Sequence, residues 1–173
     1  MRILTILALF TASIQSQEPI RIKKVEQFYV EGLSVRTDNA HEMTGQGKIG
    51  NLWRQFKEQK IAVGMDLYAV YSNYESDQNG AYNYLLGWKV RTEEMRGVED
   101  FPQGCTAVKI LAGKYAIVPS ERGPAPKVVP EVWKRIWGLT PSELTRPRAF
   151  KTDFEFYGPA NGDGQVNVFL GLR

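Results

Sequence analysis

An internal repeat constrains this chain more than any single motif. Ile49, Leu52, Trp53 and Phe56 fall at i, i+3, i+4 and i+7, the spacing of one apolar helix face. Val129, Val132, Trp133 and Ile136 repeat it position for position (49 to 129, 52 to 132, 53 to 133, 56 to 136), with tryptophan on tryptophan. The same offset carries Tyr74-Glu75 onto Phe154-Glu155, and Leu86, Trp88 and Val90 onto Val166, Val168 and Leu170. Ahead of each helix stands a strand pattern containing a glycine: 28–35 with Gly32, and 108–118 with Gly113, one residue out of step. Such self-similarity marks two copies of one supersecondary unit.

Each copy reads strand, helix, strand, strand. The closing strand pairs are 66–74 with 84–91 and 151–157 with 165–172, each joined through a segment carrying Asn-Gly, residues that accept the positive φ of a tight turn. Neither segment has the alternating oxygen ligands and closing glutamate of a calcium loop, so both read as turns. In the second copy, Gly123-Pro124-Ala125-Pro126 stops the preceding strand, Pro130 falls in the first helical turn, and Gly138 ends the helix. Thr140-Pro141-Ser142-Glu143 then has the pattern of a capped turn. The expected fold is α+β: two pseudo-symmetric strand-helix-strand-strand modules with antiparallel sheets, module one over 20–92 and module two over 104–172. A short polar bridge, 92–104, would let the halves pack as one unit, with a ligand cleft at their seam.

Composition narrows the function classes. A net charge of +3, with Lys and Arg scattered, leaves no nucleic-acid footprint. Arg21, Lys23 and Lys24 alternate with Ile20, Ile22 and Val25 and read as the wet face of a strand. One cysteine, Cys105, and one histidine, His41, allow neither an internal disulfide nor a Cys/His metal site. No cofactor motif is present, and His41 sits in a polar, solvated loop, Asn39-Ala40-His41-Glu42. The N-terminus is distinct: Met1-Arg2, an apolar run over 3–10 and small residues to Ser16 have the form of a secretory signal peptide over 1–16. That run is too short and too interrupted to span a bilayer. Cleavage after Ser16 would make the protein secreted or periplasmic, and without it the protein would be cytoplasmic.

The residues that resist a purely structural reading lie at 151–158. Strand side chains alternate faces, so Asp153, Glu155 and Tyr157 share one side while Phe154 and Phe156 take the other. A glutamate turned inward must be protonated, hydrogen-bonded or held for a cationic ligand. Aromatics on the elements nearest the seam, Tyr71, Tyr74, Trp88, Tyr115, Trp137 and Tyr157, are its candidate ligand-binding companions. Trp53 and Trp133, at matching core positions of the helices, are assigned to packing.

From about Ile20 to Leu172 the chain resembles the GyrI-like, or AraC-type, effector-binding domain family, and within it the stand-alone integron-cassette type. The resemblance rests on the order and spacing of segments such as Gly32-Leu33-Ser34-Val35, Ile49-Gly50-Asn51-Leu52-Trp53, Val70-Tyr71-Ser72-Asn73-Tyr74-Glu75, Val132-Trp133-Lys134-Arg135-Ile136-Trp137 and Phe154-Glu155-Phe156-Tyr157-Gly158. It implies a central cleft that takes lipophilic, often cationic, aromatic molecules around a buried glutamate, which by position is Glu155.

Three functions follow for testing. The first is a binding module that sequesters or senses a lipophilic or cationic small molecule, with Glu155 and aromatic walls supplying charge-assisted and cation–π terms of about 0.5–2 kcal/mol each. The second, which the resemblance also suggests, is a small-molecule hydrolase with Glu155 as the one catalytic candidate, a general acid or base. No Ser-His-Asp order, nucleophilic cysteine motif or metal set stands beside it. The third, from the gyrase-inhibitor side of the family, is a protein-interaction role.

Overall fold

The computed structural model describes residues 18–59, 65–90, 104–159 and 164–173. The signal peptide expected at 1–16 and nearly all of the bridge at 92–104 lie outside the described residues. In chain order the elements are β1 (Arg21–Val25), β2 (Phe28–Thr37), α1 (Asn39–Met43), α2 (Ile49–Gln59), β3 (Asp66–Ser72), β4 (Tyr82–Val90), β5 (Cys105–Ile110), β6 (Gly113–Pro119), α3 (Ala125–Gly138), β7 (Arg148–Pro159) and β8 (Asn167–Leu172). The strands form one antiparallel α+β sheet in the order β1-β6-β8-β7-β3-β4-β2-β5.

Helices α2 and α3 arise where the apolar spacing placed them. Leu52 and Phe56 of α2, and Val132, Trp133 and Ile136 of α3, are buried against one face of the sheet. The strands beneath supply alternate residues, Leu86, Trp88 and Val90 from β4 and Val168 and Leu170 from β8. The other face carries a second apolar cluster built on Val30, Tyr68, Val70, Leu85, Ile110, Tyr115 and Phe154. Phe154 and Glu155 thus belong to opposite faces, as strand alternation demands.

Three local expectations are corrected. The strand expected over 108–118 is two strands. Ile110 pairs with Phe28 on β2 while Gly113 pairs with Val25 on β1, and the chain crosses between them at Leu111-Ala112. Tyr115 braces that crossing by donating its hydroxyl to the Leu111 carbonyl at 2.8 Å. The stretch around His41 is the short helix α1, capped by Asp38, whose carboxylate accepts from the His41 amide at 2.9 Å. Pro130 lies inside α3, which begins at Ala125, so the helix forgoes one backbone bond there. The capped turn at Thr140 is present: the Thr140 amide and hydroxyl donate to the Glu143 carboxylate at 2.8 and 2.7 Å.

Strand connectivity forces the sheet to curl. β1 and β2 stand six strand positions apart, about 29 Å in a flat sheet at ~4.8 Å per strand, yet Glu26 and Gln27 alone join them. Three Cα steps reach only ~11 Å. The edges therefore approach one another at that end, and the Phe28 ring of β2 reaches the Phe154 ring of β7 at 5.7 Å.

β2 and β4 also meet unusually closely where Gly32 faces Gly87. A Cβ on Gly87 would fall on the Glu31 carbonyl oxygen, and one on Gly32 would lie 2.0 Å from the Leu86 carbonyl oxygen. Gly87→Ala is expected to push these strands apart and cost about 2 kcal/mol, the usual penalty for overpacking a core. A lowered urea midpoint checks it; an unchanged midpoint would show that the strands yield freely.

Candidate functional site

A cleft of about 570 Å³ opens on the helix-bearing face of the sheet, within the range of small-molecule sites. Glu155 of β7 forms its floor and is 1% exposed. β7 pairs with β3 so that Ala69 stands opposite Glu155, leaving the carboxylate no side-chain rival across that rung. Three donors converge on it instead. Tyr71 Oη and Trp133 Nε1 donate to Oε1 at 2.7 and 2.6 Å, and Tyr157 Oη donates to Oε2 at 2.5 Å.

Two opposing effects act on this carboxyl. Burial disfavours the charged form and pushes its pKa up, while the hydrogen bonds from Tyr157, Tyr71 and Trp133 pull it down; the result stays above the ordinary carboxylate value. Burial drives the Tyr71, Tyr84 and Tyr157 phenols well above their usual range, with Glu155 adding to the shift. They therefore remain protonated donors. A carboxylate so held is satisfied in hydrogen bonds and unbalanced in charge.

The walls are aromatic. Trp53 of α2 sends its indole N–H to the Tyr84 hydroxyl at 2.9 Å and sets its ring edge-on to Tyr157, with centroids 5.2 Å apart. Trp133 of α3 lies 4.8 Å from the Tyr71 ring. Trp137 extends the α3 wall, and Asn39, Glu42 and Met43 of α1 reach the rim, Met43 being 70% exposed. Glu42 also builds the local frame, accepting from the Lys48 and Ile49 amides at 2.9 and 3.2 Å and so capping α2 from outside the helix.

Beside Glu155 lies a buried ion pair. Arg148 Nη2 donates to Asp153 Oδ2 at 2.6 Å, the two side chains being 7% and 0% exposed. Tyr74 Oη donates to the same oxygen at 2.8 Å and the Gly171 amide to Oδ1 at 2.8 Å. A bulge makes this possible. Between Arg148 and Asp153 the β7–β8 register shifts, and Phe150 within it takes φ +50°, a left-handed conformation that costs a bulky residue about 1–2 kcal/mol.

Of the residues expected at a cleft, Glu155, Tyr157, Tyr71, Tyr74 and Trp137 line this one. Trp88 does not: it packs under α2, with its ring 6.2 Å from Phe56. Tyr115 does not either, since it belongs to the opposite face of the sheet, against Phe154. Glu75, which the expected repeat aligned with Glu155, is an exposed turn residue accepting from the Ala81 amide at 3.3 Å. Trp53 and Trp133 were assigned to packing, yet both line the cleft and Trp133 bonds Glu155. The signal for them was available, because a buried indole N–H seeks an acceptor. Arg148 had no such sequence signal.

Comparison with known proteins places this geometry. The family model described as integron-associated effector binding protein (Cass2) matches residues 21–171. YobU of Bacillus subtilis (strain 168), named provisionally as a transcriptional regulator, is 32% identical over 152 residues, covering 82% of this chain and 90% of that protein. The integron cassette protein VCH_CASS2 of Vibrio cholerae superposes with a TM-score of 0.74 at 29% identity, covering 91% of this chain and 97% of that one. SAV2435, solved bound to tetraphenylphosphonium, shares the fold with a TM-score of 0.68 at 11% identity, over 90% of this chain and 94% of its own. With the family model spanning residues 21–171, most of its length, this chain belongs to the integron-associated effector-binding family.

Proposed function

We propose that this protein binds lipophilic aromatic cations in the cleft, with Glu155 as the counter-ion, and so sequesters or senses them. On this reading the two halves are pseudo-symmetric modules and the cleft is their seam, β3 and β7 being the central pair and α2 and α3 its walls. One observation carries the proposal: a carboxylate 1% exposed, hydrogen-bonded by three neutral donors, at the bottom of a cleft of tyrosine and tryptophan rings. A cation there supplies the missing charge, and the rings add cation–π attraction. Effector binding is the family's description, and a neighbour of the same fold carries tetraphenylphosphonium.

The test uses two probes of one shape and opposite charge. Tetraphenylphosphonium is expected to raise the melting temperature and quench the fluorescence of Trp53, Trp133 and Trp137, which line the cleft. Tetraphenylborate should do neither. Equal binding of both would remove the electrostatic basis of the proposal.

A second reading, hydrolysis within the same cleft, has one observation in its favour: the Glu155 carboxyl, held by burial above the ordinary carboxylate value at the floor of the cleft, is a candidate general acid or base. Release of product from a reactive ester or epoxide, abolished by Glu155→Gln, would favour it over binding alone.

A further inference from the structure

The cleft holds a second polar group that cation binding leaves unused. Arg148 lines it together with Glu155. Its guanidinium has five N–H donors, and only Nη2 is engaged, on Asp153 Oδ2. Among the described residues, Nε and Nη1 are buried with no hydrogen-bond partner. Asp153 does not take them: its Oδ2 already receives Tyr74 and Arg148, and its Oδ1 is occupied by the Gly171 amide. The forked pairing usual for arginine and a carboxylate is therefore absent. Aromatic faces hold the group instead, with Cζ 4.3 Å from the Phe150 ring centre and 5.8 Å from that of Trp133. Unmade bonds of a buried cation are costly, and here they are kept beside a ligand-sized cleft.

Trp133 relates the two charged groups. Its indole N–H binds the Glu155 carboxylate while the Arg148 guanidinium lies over its ring. A molecule resting against Trp133 thus meets an acceptor on one side and spare donors on the other.

We propose that Arg148 is an acceptor-binding subsite of the cleft, so that the preferred ligands are lipophilic cations also bearing a carboxylate or carbonyl oxygen. This rests on the cation-binding reading above and narrows it to a class. Glu155 fixes the cationic end, and one of the free Arg148 donors, Nε or Nη1, donates to the oxygen. Because Asp153 already compensates the arginine charge, a neutral carbonyl suffices, while a carboxylate gains most.

The experiment compares two phosphonium ions of nearly equal size, (4-carboxybutyl)triphenylphosphonium and n-pentyltriphenylphosphonium, by calorimetric titration. The wild-type protein is expected to bind the carboxylate probe about tenfold more tightly, a charge-assisted bond's worth. Equal affinities, or a preference for the pentyl probe, would overturn the proposal. In the charge-neutral variant Arg148→Met/Asp153→Asn the preference should vanish, the two probes then binding alike. A preference that survives in the folded variant would also overturn it. Failure of both probes to bind wild-type protein would instead bring down the cation-binding reading, and this subsite with it.

Discussion

Replacing Glu155 with glutamine is expected to lower the affinity for tetraphenylphosphonium about a hundredfold, about 2.7 kcal/mol, the scale on which buried charge partners act. The variant should fold, because the glutamine oxygen can still accept from Tyr71 and Trp133 and its amide can donate to Tyr157, preserving the contacts on both carboxylate oxygens. What it removes is the charge. Dependence on pH provides the sharper readout. In the empty cleft burial holds Glu155 above the ordinary carboxylate value, whereas a bound cation favours the ionised form and brings the value down. Proton and cation therefore compete. Affinity is full above the free protein's Glu155 value and falls as pH drops through it, approaching about tenfold per pH unit. Tryptophan quenching titrations across that range should give a sloping curve for wild type and a flat one for the variant. A slope retained in Glu155→Gln would place the titrating group elsewhere.

The other large effect concerns stability. Asp153→Ala is expected to cost about 4 kcal/mol, since removing one member of a buried pair leaves an uncompensated charge. Three groups lose their acceptor at once: Arg148 Nη2, the Tyr74 hydroxyl and the Gly171 amide. Adding Arg148→Met in the same chain should recover much of the loss, because a buried pair replaced whole by apolar atoms is often nearly neutral. Urea unfolding of the two single variants and the double variant gives the coupling. If the double variant is no more stable than Asp153→Ala, the cost lies in the orphaned Tyr74 and Gly171 bonds and the arginine is a bystander.

How much of this was legible follows from the range over which each feature is encoded. Helices α2 and α3 are written locally, in apolar residues three and four apart, and the alternation of Phe154, Glu155 and Phe156 assigned each side chain its face. The division of 108–118 into β5 and β6 was not, since both pieces keep strand composition and the break is set by partners on opposite edges. α1 escaped notice because five mostly polar residues carry no face to detect. At the site, Glu155 was readable as an expensive residue between two phenylalanines. Trp133 was hidden by its own regularity: the periodicity that put it in the apolar stripe says nothing of the acceptor waiting on a strand 22 residues away. Trp88 and Tyr115 failed for the converse reason. Their strands were expected to border the seam, but the one side chain lies beneath Phe56 while the other faces the reverse side of the sheet.

The placement of β1 has a consequence in time. Its partner is β6, with Arg21 against Ile117 and Val25 against Gly113, about 90 residues further along, a separation that slows folding. As the chain leaves the ribosome, β2, α2, β3 and β4 can associate while β1 hangs beside them unpaired, and β3 offers an open edge until β7 arrives. Because β2 likewise waits for β5, the first half is born with both borders of its sheet unfinished, and an interrupted translation product ending near residue 90 would be a template for its own aggregation.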